Sequence, residues 1–248
     1  MQFRRVMRLR HELRNLLHHV GVDVVRYPLS SPLARTVKLL DHHGVTCVLD
    51  VGANDGGFAT GIRRLGYRGR IVSFEPLEPA FAAVERKARA DDAWRAIQCA
   101  VGDDDGEVTI NVSGNDGLSS SVLPMLDSHL AVEPSSRYVG TQAIRQRRLD
   151  DLLPELEVDG SARTFLKVDV QGYERAVLDG ASASLRSDVI VGMQLELSLI
   201  PLYAGAMSYR EGLDRAEQLG MTLMGLDPVF ADPRTGQLLQ ADAVFFRT

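Results

Sequence analysis

One stretch constrains this chain more than any other: Val48-Leu49-Asp50-Val51-Gly52-Ala53-Asn54-Asp55-Gly56-Gly57-Phe58-Ala59-Thr60. An apolar run rich in β-branched residues over 45–51 ends against glycines, and a carboxylate sits one residue before the break. A short run of this kind, bounded by Gly44 and Gly52, is the pattern of a strand buried on both faces of a parallel sheet. Gly52 permits a left-handed backbone or a close approach, and Gly56-Gly57 lets a helix start with its first N–H groups uncovered. Residues 58–65 read as that helix. A glycine turn from strand to helix at the carboxyl end of a parallel sheet attracts anionic groups and makes a nucleotide-type site.

What the turn lacks narrows the nucleotide. A dinucleotide fold asks for Gly-x-Gly-x-x-Gly, and Asn54 stands where the middle glycine would let a pyrophosphate approach. Asp50 would also repel a pyrophosphate. S-adenosylmethionine offers a sulfonium and an ammonium beside one carboxylate, which suits an acid set among exposed N–H groups. The turn, with Asp50, Gly52, Asn54, Asp55 and Phe58, is therefore expected to hold the amino-acid end of that cofactor.

The remaining carboxylates recur at strand ends. Residues 70–76 form a second buried-strand pattern closing on Glu75-Pro76, where the proline turns the chain out of the sheet. An acid at the end of the second strand grips the two hydroxyls of an adenosine ribose, so Glu75 and Pro76 are cofactor candidates. A third strand is expected over 94–101, which puts Asp103 in reach of an adenine amino group. Asp103 also reads as part of an Asp-Gly turn leading into a hairpin strand over 107–112. A fourth strand over 164–170 ends at Asp169, and a fifth over 189–196 ends at Glu196. A helix over 207–219, a strand over 221–226 and a last strand over 243–246, placed as an antiparallel edge, complete the pattern.

The ends and the loops carry less information. Val6, Leu9, Leu13, Leu16, Leu17 and Val20 recur at helical spacing, and Ser30 or Ser31 before Pro32 caps a second helix running to Gly44. Residues 1–43 are expected to be a helical cap on a domain spanning 44–248. Residues 114–138 are longer than an ordinary connection and rich in Ser, Gly, Asp and Pro, as lids and substrate loops are. Ser121 there is a hydroxyl donor toward the cofactor, and His129 is the one histidine beyond the cap.

Composition excludes several classes. With 45% hydrophobic and 25% charged residues over 248 positions, the chain suits one α/β domain with an appendage. It has no apolar run near the ~20 residues of a membrane span and no secretory apolar centre in residues 1–20, so a cytoplasmic protein is expected. Cys47 and Cys99 lie inside core strands, without metal-ligand spacing. The net charge of -5 argues against nucleic acid as partner. Residues 1–35 nonetheless hold seven arginines against Glu12 and Asp23, a basic arm read as a solvated helix face.

Three segments together carry a resemblance: residues 48–56, Phe74-Glu75-Pro76, and Leu166-Lys167-Val168-Asp169-Val170-Gln171-Gly172-Tyr173-Glu174. The chain resembles the FkbM-type methyltransferases that use S-adenosylmethionine. The resemblance implies a Rossmann-like class I sheet, mostly parallel with its last strand antiparallel. It also implies methyl transfer to a hydroxyl oxygen of a sugar or a polyketide-like product. The family usually carries Glu where this chain has Gln171.

An aliphatic hydroxyl attacks a sulfonium methyl only as its proton leaves, so the site needs a base or a metal. Asp169 and Glu196 are the candidates, either as base and orienting partner or as two oxygen ligands for Mg²⁺. His129 is a third candidate base if the long loop folds over the crevice. The bland alternatives make Asp169 a helix cap and Glu196 a partner of backbone groups. Rival functions are an NAD(P)-linked oxidoreductase and a non-catalytic protein docking through its arginine-rich cap. A nucleic-acid methyltransferase is weaker, because the fourth strand lacks an Asn/Asp-Pro-Pro-aromatic turn. The expected acceptor is a small molecule or oligosaccharide, and a homo-oligomer is allowed.

Overall fold

Strand β1, Cys47–Val51, is buried at every position and lies inside a seven-stranded sheet. The structure is a computed structural model describing residues 31–159 and 161–248. The expected first helix over 4–20 lies outside the described residues. Before β1 comes α1, Pro32–His42, whose N-cap Ser31 accepts from the Ala34 amide at 3.4 Å, with Pro32 at its first position.

Beside β1 run β2, Arg70–Phe74, and then β3, Trp94–Ile97, all parallel. On the other side lie β7, Thr164–Val168, and β8, Ile190–Ser198, also parallel. The sheet is completed by β10, Leu238–Arg247, and β9, Met221–Ala231, in the order β3-β2-β1-β7-β8-β10-β9. β10 runs against both of its neighbours. The mostly parallel sheet with a reversed last strand is the class I methyltransferase arrangement expected from the resemblance.

The last strand is antiparallel as expected, but it is not the edge. Ala243 and Phe245 join the apolar cluster on one face of the sheet, while Val244 and Phe246 join the cluster on the other. A strand apolar on both sides belongs inside a sheet. The edge is β9, which leaves Leu223, Leu226 and Val229 exposed and carries Pro228, a residue that edge strands tolerate.

Helices cover both faces. α1, α2 (Gly57–Arg64) and α3 (Glu78–Ala88) bury Leu40, Ala59, Ile62 and Val84 against Val48, Ile71 and Phe165. The opposite face takes α5 (Leu149–Glu155), α6 (Glu174–Gly180), α7 (Ser182–Arg186) and α8 (Tyr209–Gln218), packed on Leu49, Val72 and Leu166. Cys47 and Cys99 are free and buried.

A second sheet corrects the expected third strand. The 94–101 segment splits into β3 and β4, Ala100–Gly102, and β4 belongs to a three-stranded sheet ordered β4-β6-β5. β5, Gly106–Ser113, pairs with β6, Tyr138–Arg148, a strand the sequence pattern did not show. Asp103 to Asp105 therefore link two strands that do not pair, and there is no hairpin at that turn.

The long 114–138 segment is packed as a wall. It contains α4, Asp127–Leu130, and a 3₁₀ turn, Pro134–Ser136, and is bridged at Asn111–Ser121 and Met125–Tyr203. Leu123, Met125 and Val132 pack against Leu202, Tyr203 and Leu239.

Candidate active site

At the carboxyl ends of β1, β2, β7 and β8 opens a cleft of about 300 Å³, closed on its far side by β5 and the 114–122 segment. Its size and its mixture of apolar walls with a few convergent polar groups suit a small-molecule site. Of the expected site residues, Gly52, Asn54, Glu75, Pro76, Ser121, Asp169 and Glu196 line it together. Leu77, Ala80, Ala100, Val101, Ile110 and Val122 form its apolar side.

Gly52 adopts φ +78°, and a Cβ there would stand 1.9 Å from the Asp169 carbonyl oxygen. The glycine thus lets the first turn pass directly against the turn after β7. Gly52 N and Ala53 N both donate to Phe74 O at 3.0 Å, and of the expected helix-start amides Gly56 N donates to Ala53 O at 2.8 Å. Asn54 N donates to Glu75 Oε2 at 2.7 Å, and Leu77 N to Glu75 Oε1 at 2.9 Å. Those bonds aim the Glu75 carboxyl along the cleft wall. Burial pushes it up to about 7, against the lowering effect of the two amides.

Five expected site residues are absent from the cleft lining. Asp50 is fully buried beneath the turn, with Lys167 Nζ 3.4 Å from Oδ1 and Ser73 Oγ 3.4 Å from Oδ2. It lies on the α2 face of the sheet, so its charge is met by a buried lysine. Asp55 is exposed and paired with Lys87 at 2.8 Å. Phe58 places its ring 5.5 Å from Lys167 Nζ. Asp103 is exposed and receives a long 3.4 Å bond from Tyr173. His129 is buried, its Nε2 3.2 Å from Ser136 Oγ and its ring against Tyr203 and Phe230. The loop folds over the cleft with His129 turned into its own packing, and burial lowers the histidine's pKa.

Asp169 and Glu196 do come together, through a residue between them. Gln171 Nε2 donates to Asp169 Oδ1 at 3.0 Å and to Glu196 Oε2 at 2.8 Å. Gln240 Nε2 on β10 adds a second donor to Glu196 Oε2 at 2.7 Å. Lys167 Nζ lies 3.3 Å from Asp169 Oδ2. Burial alone would lower this lysine, but Asp169, Asp50 and Asp242 outweigh it and hold the ammonium above its ordinary value. Burial and the neighbouring Asp169 raise Glu196 well above the usual carboxylate range. Asp242, beyond them on β10, is raised to about 7 by burial and then by Asp169.

The bland alternatives do not describe these two acids. The amides after β7 are taken by Glu174, whose Oε1 accepts from Val170 N and Gly172 N, and Glu196 accepts from side-chain amides. A metal does not fit either. An amide group fills the space between the carboxylates, and no cluster of three or more ligating side chains occurs among the described residues.

Sequence reasoning missed Lys167, Tyr203, Gln240 and Asp242. Lys167 carried a signal, since a strand residue two before Asp169 shares its face. The other three come from a loop and from β10, where no spacing relates them to the site.

Residues 50–222 match the Methyltransferase FkbM domain. The 2-O-methyltransferase NoeI of Sinorhizobium fredii (strain NBRC 101917 / NGR234) is 28% identical over 197 residues, covering 77% of this chain and 79% of that protein. Methyltransferase sdnD of Sordaria araneosa is 28% identical over 154 residues, covering 54% and 59%. The crystal structure of Methyltransferase FkbM from Methylobacillus flagellatus KT aligns with TM-score 0.46 and 14% identity, over 80% of this chain and 43% of that one. The strand order with β10 reversed, the cleft at the carboxyl ends of the parallel strands and the match over residues 50–222 agree: the chain belongs to the FkbM methyltransferase family.

Proposed function

We propose that the cleft binds S-adenosylmethionine and that the protein moves its methyl group to a hydroxyl oxygen of a saccharide or a glycosylated natural product. The observation that carries this reading is one cleft lined by Glu75 at one end and by the bridged pair Asp169 and Glu196 at the other. Glu75 would accept from the ribose hydroxyls, and the apolar side would take the adenine. Bound there, the cofactor supplies an electrophilic methyl on a sulfonium. The similarity to a protein named as a 2-O-methyltransferase supports oxygen as the acceptor atom.

Asp169 is the base in this account. It is half-buried at the cleft wall with its Oδ2 beside the Lys167 ammonium, while burial raises Glu196 well above the usual carboxylate range. Asp169 Oδ would take the hydroxyl proton as the oxygen attacks, Lys167 keeping the carboxylate in place from below. Glu196, held by Gln171 and Gln240, would orient the acceptor beside it.

The test is transfer of a labelled methyl group from S-adenosylmethionine to a saccharide panel. Asp169→Asn is expected to lose about 10²–10⁴-fold in kcat, with affinity for S-adenosylhomocysteine retained. Glu196→Gln should raise KM for the acceptor more than it lowers kcat, and EDTA should leave turnover unchanged. Full turnover in Asp169→Asn removes it as the base; labelling of a polyketide-type hydroxyl alone moves the acceptor class.

A further inference from the structure

Gln171 is the most connected side chain in the cleft, and its conformation is unusual. It is a non-glycine residue at φ +55°, ahead of Gly172 at φ +99°. A left-handed backbone at such a residue is strained and persists where the surroundings over-determine it. Here they do. Its carbonyl oxygen accepts from Ser121 Oγ at 2.6 Å, and Tyr203 OH lies 2.9 Å from its Oε1. Tyr203 itself packs against Gly172, where a Cβ would approach it to 2.9 Å. With Oε1 occupied by the tyrosine hydroxyl, the amide NH₂ faces Asp169 and Glu196, and a carboxylate can only accept.

We infer that Gln171 is a positioning residue that lets two acids share the cleft, its two N–H bonds fixing the Asp169 carboxylate and the Glu196 carboxyl at one spacing. This rests on the methyl-transfer reading above. The neutral amide supplies donors to both groups without adding charge. A glutamate there would bring a third acid into a cluster already facing Lys167 and Asp50 from the strands below, Glu174 from α6, Asp242 from β10 and the Tyr203 hydroxyl. Donors of this kind favour the ionised form of a carboxyl that they reach.

The experiment is the pH dependence of kcat for the full chain with Gln171→Glu and Gln171→Met, alongside binding of S-adenosylhomocysteine. Both variants lose the paired donors, so the ascending limb of kcat should move to higher pH by about one unit or more, further for Gln171→Glu. Cofactor affinity should stay within about threefold of the parent, which reports that the fold is intact. A residue of merely structural importance would lower kcat evenly across pH. A limb that stays in place in both variants, with cofactor bound normally, overturns the assignment. A parent protein that methylates no acceptor overturns the reading beneath it instead.

Discussion

Under the proposed function, the single side chain of Glu75 ties cofactor binding to pH. Both of its oxygens accept a backbone amide, and burial holds the carboxyl at about 7, so it carries a proton in much of the free protein at mildly acidic pH. Only the ionised form is a full acceptor for two ribose hydroxyls. Affinity for S-adenosylhomocysteine should therefore weaken as pH falls from about 8 to about 6, and calorimetric titration across that range measures it. Glu75→Gln should bind roughly tenfold to a hundredfold more weakly at the upper end and lose most of the pH dependence. Glu75 and Asp169 were legible because each directly follows a parallel strand, and Glu196 because it comes just after the last β8 residue paired with β7, although β8 itself runs on to Ser198 beside β10. Asp50 stood one residue too early: the alternation of a strand turns it down onto Lys167 rather than up into the cleft. Asp55 was chosen for its place in the first turn and Asp103 for its place at the end of the expected third strand, and both face solvent.

At the scale of the element, the parallel strands were readable because burial on both faces leaves an unbroken apolar run. β6 was not, because it buries only Ile144 and Gln146 and so has no apolar run, and it is a strand only through pairing with β5 and β4. The place of β10 was equally hidden. Local sequence gives the type of a strand but not its neighbours, and an antiparallel return can enter a sheet at any gap the preceding chain leaves open. Hydrogen exchange distinguishes the two arrangements. Amides of Ala243, Val244, Phe245 and Phe246 should exchange only through global unfolding, while many β9 amides exchange through local opening. Rapid exchange in β10 with protection throughout β9 would put the edge back where the sequence pattern placed it.

Across the whole molecule, the two faces of the sheet divide the labour. On the face under α2, Ser73, Asp50 and Lys167 lie side by side at paired positions of three strands and lead to Asp169. The upper ends of the same strands, with the 114–122 wall, enclose the cleft. No helix among the described residues is long and apolar enough to cross a membrane. The central claim is that this cleft takes S-adenosylmethionine with its ribose at Glu75 and its methyl toward Asp169. A crystal structure grown with S-adenosylhomocysteine tests it most directly. The account predicts the ribose hydroxyls on the Glu75 carboxylate and the sulfur facing Asp169 and Glu196; a ligand seated elsewhere, or reversed so that its adenine lies on those two acids, would contradict it.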